Sequence, residues 1–253
     1  MTPMFASNPT RERGQWTGDS VNVGLEMGSC SFADLRPFRR ALVQAAQSAN
    51  GDGLVAAMSA GFGQYIASFA AQWTRACLRY HEITGEQELL RELAPAAIAN
   101  ARAFEKRIDE RGVDETMTWN FIDWGYVRPE GPSDLGLNLF VRDSMRALAE
   151  WARRIGGSGE MEELAKRLGQ KLDDALAPWG DALRTGDFGR LGYHATVLAL
   201  RFDLVEAEHR RAAARRIVQH WDASFPLQPT ETPLYSPAAE MPPAAAARRR
   251  GSR

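Results

Sequence analysis

The sequence predicts an all-α chain whose helices alternate between a covered inner layer and a half-exposed outer one. Three observations lead there. Apolar residues recur every three or four positions, the period of an amphipathic helix. Ile66, Phe69, Trp73, Cys77 and Tyr80 share one face; so do Leu93, Ala97, Ala101, Phe104 and Ile108, and again Met161, Leu164, Leu168, Leu172 and Leu176. Gly85, Gly112 and Gly156 stand where these runs stop, as C-terminal glycines do. The third observation is the alternation itself. "QYIASFAAQWTRACLRY" is mostly apolar or small, and its successor "EQELLRELAPAAIANARAFEKRIDERG" is charged on one side. "LGLNLFVRDSMRALAEW" and "YHATVLALRF" are each followed by a charge-rich partner in the same way. A helix with little polar surface must be covered on most sides, and a one-faced helix covers it. A helical barrel and a helical solenoid both meet this demand with antiparallel pairs and short loops. The chain has no fixed-length repeat, which counts against the solenoid.

Taken in order, the periodicity predicts helices over 20–29, 34–48, 62–84, 86–111, 134–156, 158–177, 191–204 and 206–222. Pro37 suits a first turn. Pro95 falls inside the fourth pattern and predicts a kink or a late start. "GDG" at 51–53 and "GFG" at 61–63 read as turns. "DETMTWNFIDWGYVRPEGPSD", 114–134, breaks the rhythm with turn residues and aromatics; connections of this length are often functional. From Pro226 the chain is rich in proline and alanine and ends in "AAAARRRGSR", a composition that cannot build a core and predicts an extended or disordered tail over 226–253.

Composition narrows the class. At 253 residues there is room for one large domain or two small ones. A net charge of -1 gives no overall pull towards nucleic acid or membrane. No run approaches the roughly 18 apolar residues of a spanning helix, and no leader opens the chain, so a cytoplasmic location is the expectation, with an upstream signal still possible. Two cysteines, Cys30 and Cys77, suit a reducing compartment; both fall in apolar helical patterns and are expected to be buried free thiols. His81, His194, His209 and His220 show no metal-ligand spacing, and there is no phosphate-binding glycine loop, so no metal or cofactor is expected. "HRRAAARR" at 209–216 reads as the solvated face of an outer helix.

Two clusters could carry chemistry. In "PTRERGQWTGD", 9–19, Glu12 lies between Arg11 and Arg13, followed by Trp16 and Asp19. A salt-bridged solvated loop would account for it; so would a sugar site. An inverting glycosidase needs one carboxylic acid to protonate the leaving oxygen and a second carboxylate, roughly 6.5–9.5 Å away, to activate water. Tryptophan offers a flat apolar face to a pyranose, and Asp and Arg direct hydrogen bonds to hydroxyls. Arg11 and Arg13 would have to point away from the Glu12 carboxyl, or be offset by burial, because close cations disfavour a neutral acid. In "TWNFIDWGY", Trp119, Asp123 and Trp124 stand with Tyr126, either as a plug over the helix ends or as a ligand platform.

These residues resemble the α-L-rhamnosidases among the six-hairpin glycosidases. That family carries its general acid in a Cys-Pro-x-Arg-x-Glu-Arg-x-Gly-Trp-x-Gly-Asp type motif, whose glutamate stands four residues before the tryptophan, as Glu12 stands before Trp16. "FIDWG" at 121–125 is similar to the family's second Asp-Trp loop, and "YHATVLALRFDLV" at 193–205 to a later inner-helix motif. The resemblance runs from residue 7 to about residue 241. It implies an (α/α)6 barrel and inverting hydrolysis of terminal α-L-rhamnosides. Glu12 would be the acid, and Arg11, Arg13, Trp16, Asp19, Trp119, Asp123 and Trp124 would line the sugar site. Ser7 and Asn8 replace the family's usual aspartate neighbourhood, and the span from the proline to Glu12 is one residue shorter. No Trp-Glu loop matches the family's general base; Glu231 and Glu240 lack its context. Eight helices do not close a twelve-helix barrel, so the chain is expected to be a partial domain over 1–225, cut at both ends, with exposed inner helices that favour self-association. A non-catalytic sugar-binding remnant, or a helical interaction module, is the alternative.

Overall fold

The computed structural model describes residues 14–59, 63–157 and 159–224, with the side chains of 21–23 and 222–224 excepted. Its elements are four helical hairpins. The first opens with β1 (Gln15–Trp16), passes through α1 (Thr17–Asp19), a π-helical stretch (Ser20–Leu25) and α2 (Glu26–Ser31), and returns by α3 (Arg36–Gln47). β2 (Met58–Ser59) pairs antiparallel with β1, setting Gln15 against Ser59 and Trp16 against Met58. Then come α4 (Ala67–Thr84) with α5 (Gln87–Glu105), and the small ladder of β3 (Ile108–Asp109) with β4 (Gly112–Val113). α6 (Leu135–Arg154) pairs with α7 (Gly159–Leu176), a short α8 (Gly180–Thr185) intervenes, and α9 (Phe188–Arg201) pairs with α10 (Ala207–Ser224).

The expected alternation of layers is present. α4 is buried on nearly every side, and α6 almost as completely. α5 and α7 bury one stripe each; that of α7 is Met161, Leu164, Ala165, Leu168 and Leu172. α4 packs against α6 and α6 against α9, an inner row, while α3 meets α5 and α5 meets α7 outside it. Together these four hairpins are part of an (α/α)6-type barrel wall. At about 1.5–3 kcal/mol for each fully buried large apolar side chain, such stripes are the main favourable term in joining the layers. Trp73 and Trp151, both fully buried, meet at 6.0 Å between ring centroids, and each indole N–H finds a backbone carbonyl, of Leu42 and Leu90.

Several boundaries differ from the periodicity. The fourth helix ends at Glu105 rather than 111, and Gly112, at φ 108, opens β4 and is no helix cap. α5 does not start late but runs through Pro95; that residue is exposed, so the Arg91 carbonyl it leaves without an amide partner can be solvated. Gly85 does close α4, at φ 74. The first helix runs 17–31 through its π-helical stretch instead of 20–29, the third begins at Ala67 rather than 62, and α8 was not expected. Cys77 is buried, but Cys30 is exposed: it lies on the last turn of α2, which solvent reaches. The face of α10 over 209–216 is largely solvated, with Ala213 buried. No helix among the described residues is long and apolar enough to cross a membrane. The tail from 226, with Glu231 and Glu240, lies outside the described residues, as do residues 61 and 62 of the "GFG" turn.

Candidate active site

Trp16 of the first predicted cluster and the aromatic residues of the second come together beside the start of α4. β1 delivers Trp16 directly into α1. Its β2 partner strand is held by Gln15, whose side-chain amide donates to Ser59 Oγ at 2.6 Å, and by Thr17, whose amide and hydroxyl donate to the carbonyls of Ala57 and Ala56 at 2.7 and 2.8 Å. Gly18 is required next: a Cβ there would stand 2.5 Å from the Phe69 ring.

The 114–134 connection is tied down at intervals. Thr118 Oγ1 accepts from the Ala67 amide at 3.0 Å, and the Phe121 carbonyl accepts from the Ser68 hydroxyl, so one backbone amide and one side-chain hydroxyl at the start of α4 hold this loop. At its far end Asp134 caps α6, accepting from the Leu137 amide at 2.9 Å. The same carboxylate accepts from the Tyr126 hydroxyl at 2.9 Å and the Asn120 amide at 2.9 Å. Burial, and secondarily the Asp134 charge, pushes the Tyr126 phenol well above its usual range, so it stays a donor.

An aromatic run joins the two clusters. Trp16 meets Phe69 edge-on at 6.4 Å, Phe69 meets Phe121 at 5.8 Å, and Phe121 lies 5.1 Å from both Trp119 and Trp124. Trp119 and Trp124 are about half exposed, presenting apolar ring surface to solvent. Beside them Asp123 receives the Trp124 amide on Oδ1 at 2.8 Å, and its Oδ2 lies 3.1 Å from His194 Nε2. The hydrogen bond from His194, helped by the Trp124 amide and opposed by burial, holds the Asp123 carboxyl below the ordinary carboxylate range. At neutral pH Asp123 is therefore an acceptor of hydrogen bonds and not a proton donor.

His194 reaches this point because α9 is interrupted. Gly192 adopts φ 71, ψ -178, a conformation open essentially to glycine alone, and helical geometry resumes after it with Tyr193 and His194 at the new start.

Of the residues expected in the site, Trp16, Trp119, Asp123 and Trp124 come together in this way. Asp19 lies one turn beyond Trp16 in α1. Arg11, Glu12 and Arg13 lie outside the described residues. Sequence reasoning missed Phe69 and Phe121, which link the clusters, and weighed His194 only as a metal ligand. The "YH" opening an otherwise apolar inner helix was the available signal. Among the described residues one group, Glu206, Glu208 and His209, could approach a metal ion together; it is exposed at the start of α10.

The chain matches the model of the bacterial α-L-rhamnosidase six-hairpin glycosidase domain over residues 1–225. It belongs to this family. The rhamnosidase-type domain also shares its fold with solved structures. A GH78-family rhamnosidase of Bacillus sp. GL1 superposes with a TM-score of 0.69 at 20% identity, over 88% of this chain and 24% of that one. An α-L-rhamnosidase of Streptomyces avermitilis complexed with L-rhamnose gives 0.64 at 22%, over 87% and 21%. A rhamnosidase from Klebsiella oxytoca with rhamnose bound gives 0.67 at 21%, over 85% and 44%. The rhamnosidase-type domain thus spans less than half the length of each of these proteins. No curated protein matches it.

Proposed function

We propose that this chain carries the acid and sugar-binding portion of a glycoside hydrolase of α-L-rhamnosidase type, which inverts the anomeric centre of terminal α-L-rhamnosides. The observation that carries the reading is the aromatic run from Trp16 to Trp124 with an ionised carboxylate at its end. A deoxy sugar such as rhamnose has apolar C–H and methyl surface and adjacent hydroxyls. Trp16, Trp119 and Trp124 offer ring faces to the first, and Asp123 accepts from the second. Two of the structural relatives were solved with rhamnose bound, which supports the sugar class.

Glu12 precedes Trp16 by four residues in the sequence. Its role is to give a proton to the leaving oxygen as the glycosidic bond breaks. Asp123, held ionised, cannot serve as that acid. Asp19, Arg11 and Arg13 supply further polar contacts to the ring. Inversion also needs a general base on the opposite face; no described carboxylate is assigned that part.

Hydrolysis of phenyl α-L-rhamnoside by the purified chain tests this. Phenol leaves poorly, so loss of the acid in Glu12→Gln should lower kcat/KM by about 10²–10⁴-fold. A 2,4-dinitrophenyl rhamnoside, which needs little acid help, should lose much less. A folded chain that turns over neither substrate contradicts the hydrolase reading. Titration with L-rhamnose then decides whether sugar binding alone remains.

A further inference from the structure

We infer that His194 is the positioning residue of the sugar site: it fixes the Asp123 carboxylate and ties the 114–134 connection to α9. This rests on the sugar-binding reading of Asp123.

The geometry assigns the two partners different jobs. The His194 side chain is 17% exposed and Asp123 57%, so the imidazole stands behind and the carboxylate in front. The ring is clamped edge-on from two directions, by Tyr126 at 5.5 Å and 86° and by Tyr193 at 5.1 Å and 83°. Tyr126 is itself fixed through its hydroxyl to Asp134 and the Gly136 amide. A histidine so held has one orientation to offer, and Nε2 meets Oδ2 of Asp123. With Oδ1 engaged by the Trp124 amide, each carboxylate oxygen keeps a lone pair free for a ligand. Two adjacent hydroxyls, a vicinal diol, match that pair of acceptors. Hydrogen bonds tie the connection to α4 and cap α6 from it; His194 adds a hydrogen bond to α9. Without it, the half-exposed Asp-Trp segment would lose its fixed aim, as first-contact groups do when their support is removed.

Four proteins test the assignment: wild type, His194→Ala, His194→Gln, whose Nε2–H can replace the donor, and Asp123→Asn. Two readouts are taken, affinity for L-rhamnose and hydrogen–deuterium exchange over 119–127. His194→Ala should bind about tenfold more weakly and exchange faster over 119–127, with His194→Gln restoring most of both. Placing His194→Ala in the Asp123→Asn background should cost no further affinity, which a general structural role would not predict. If His194→Ala binds and exchanges as wild type does, or its loss of affinity adds fully to that of Asp123→Asn, the assignment is overturned. If wild type does not bind rhamnose, the sugar reading fails, and the exchange data alone decide whether His194 positions the segment.

Discussion

Arg75 and Asp143 lock the two best-covered inner helices in register. Counting from Ala67 and Leu135, each is the ninth residue of its helix, α4 or α6. The guanidinium forks onto the carboxylate, Nε to Oδ2 at 2.9 Å and Nη2 to Oδ1 at 2.7 Å, and Nη2 also reaches the Asp143 carbonyl at 3.3 Å. Equal depth along two parallel helices places their N-termini level. That is why Ala67 and Ser68 of one helix, and Asp134 capping the other, can hold opposite ends of the same connection.

Arg75→Ala leaves the Asp143 carboxylate, 9% exposed, without its partner. A fully buried pair broken this way costs roughly 3–5 kcal/mol. Arg75 is one-third exposed, so the expected loss is smaller, about 2 kcal/mol by urea unfolding. Replacing both residues with similarly sized apolar ones, Arg75→Met with Asp143→Leu, should recover most of it. A double variant no more stable than the single would show that the pair acts by something other than charge compensation.

Gly112 predicts a second, sharper effect. A Cβ there would stand 2.2 Å from Asn138 Oδ1, the atom that accepts the Val113 amide at 2.9 Å, and the residue holds φ 108. Gly112→Ala should cost about 1–3 kcal/mol from backbone strain alone, with more from displacing Asn138. Asn138→Ala strands the buried Val113 amide and should cost about 1–3 kcal/mol. In the double variant the two losses should not add, because the first already disturbs what the second removes. Chemical denaturation of the three variants checks this.

These two cases show what could be read from the sequence. The inner and outer layers follow from period and composition: Leu164, Leu168 and Leu172 announce a buried stripe without any partner being known. Trp16, Trp119 and Trp124 stood out as aromatics beside carboxylates, although a salt-bridged loop or a plug over the helix ends would give the same pattern. The register of Arg75 with Asp143 could not be read, since two charges 68 positions apart carry no sign that they meet. Nor could Gly112 be told from a helix-ending glycine; both need positive φ, and its tertiary neighbour Asn138 decides between them. His194 was hidden for a related reason. Its position depends on the Gly192 break, and a glycine inside a helical pattern costs too little, about 1 kcal/mol, to signal a change of direction.

The two thiols should differ by orders of magnitude in reactivity. Burial pushes the Cys77 thiol well above its usual range, and the side chain is inaccessible. Cys30 is exposed on the last turn of α2. In native buffer a disulfide reagent should titrate one thiol per chain quickly. The second should react only at the rate of unfolding, and both at once in denaturant. Cys30→Ser should abolish the fast phase and leave the slow one; a fast phase persisting in that variant would mean that Cys77 is reached from the native state.

Asp123 makes the final prediction, and its sign follows from its lowered pKa. The unfolded chain titrates this carboxyl near 3.8, and the folded protein holds it lower, so the unfolded state binds the proton first as pH falls. The stabilisation is therefore complete above about pH 4 and disappears as pH drops through the folded value. With the carboxylate more than half exposed, solvent screens the effect and keeps it modest. The melting temperature of Asp123→Asn should lie below that of wild type at pH 5. Below pH 4 the margin should shrink towards zero, because the wild-type carboxyl is then neutral as well. A margin that persists at pH 3 would mean that the variant disturbs packing around Trp124 instead of removing a charge. Rhamnose affinity should likewise fall where Asp123 gains its proton.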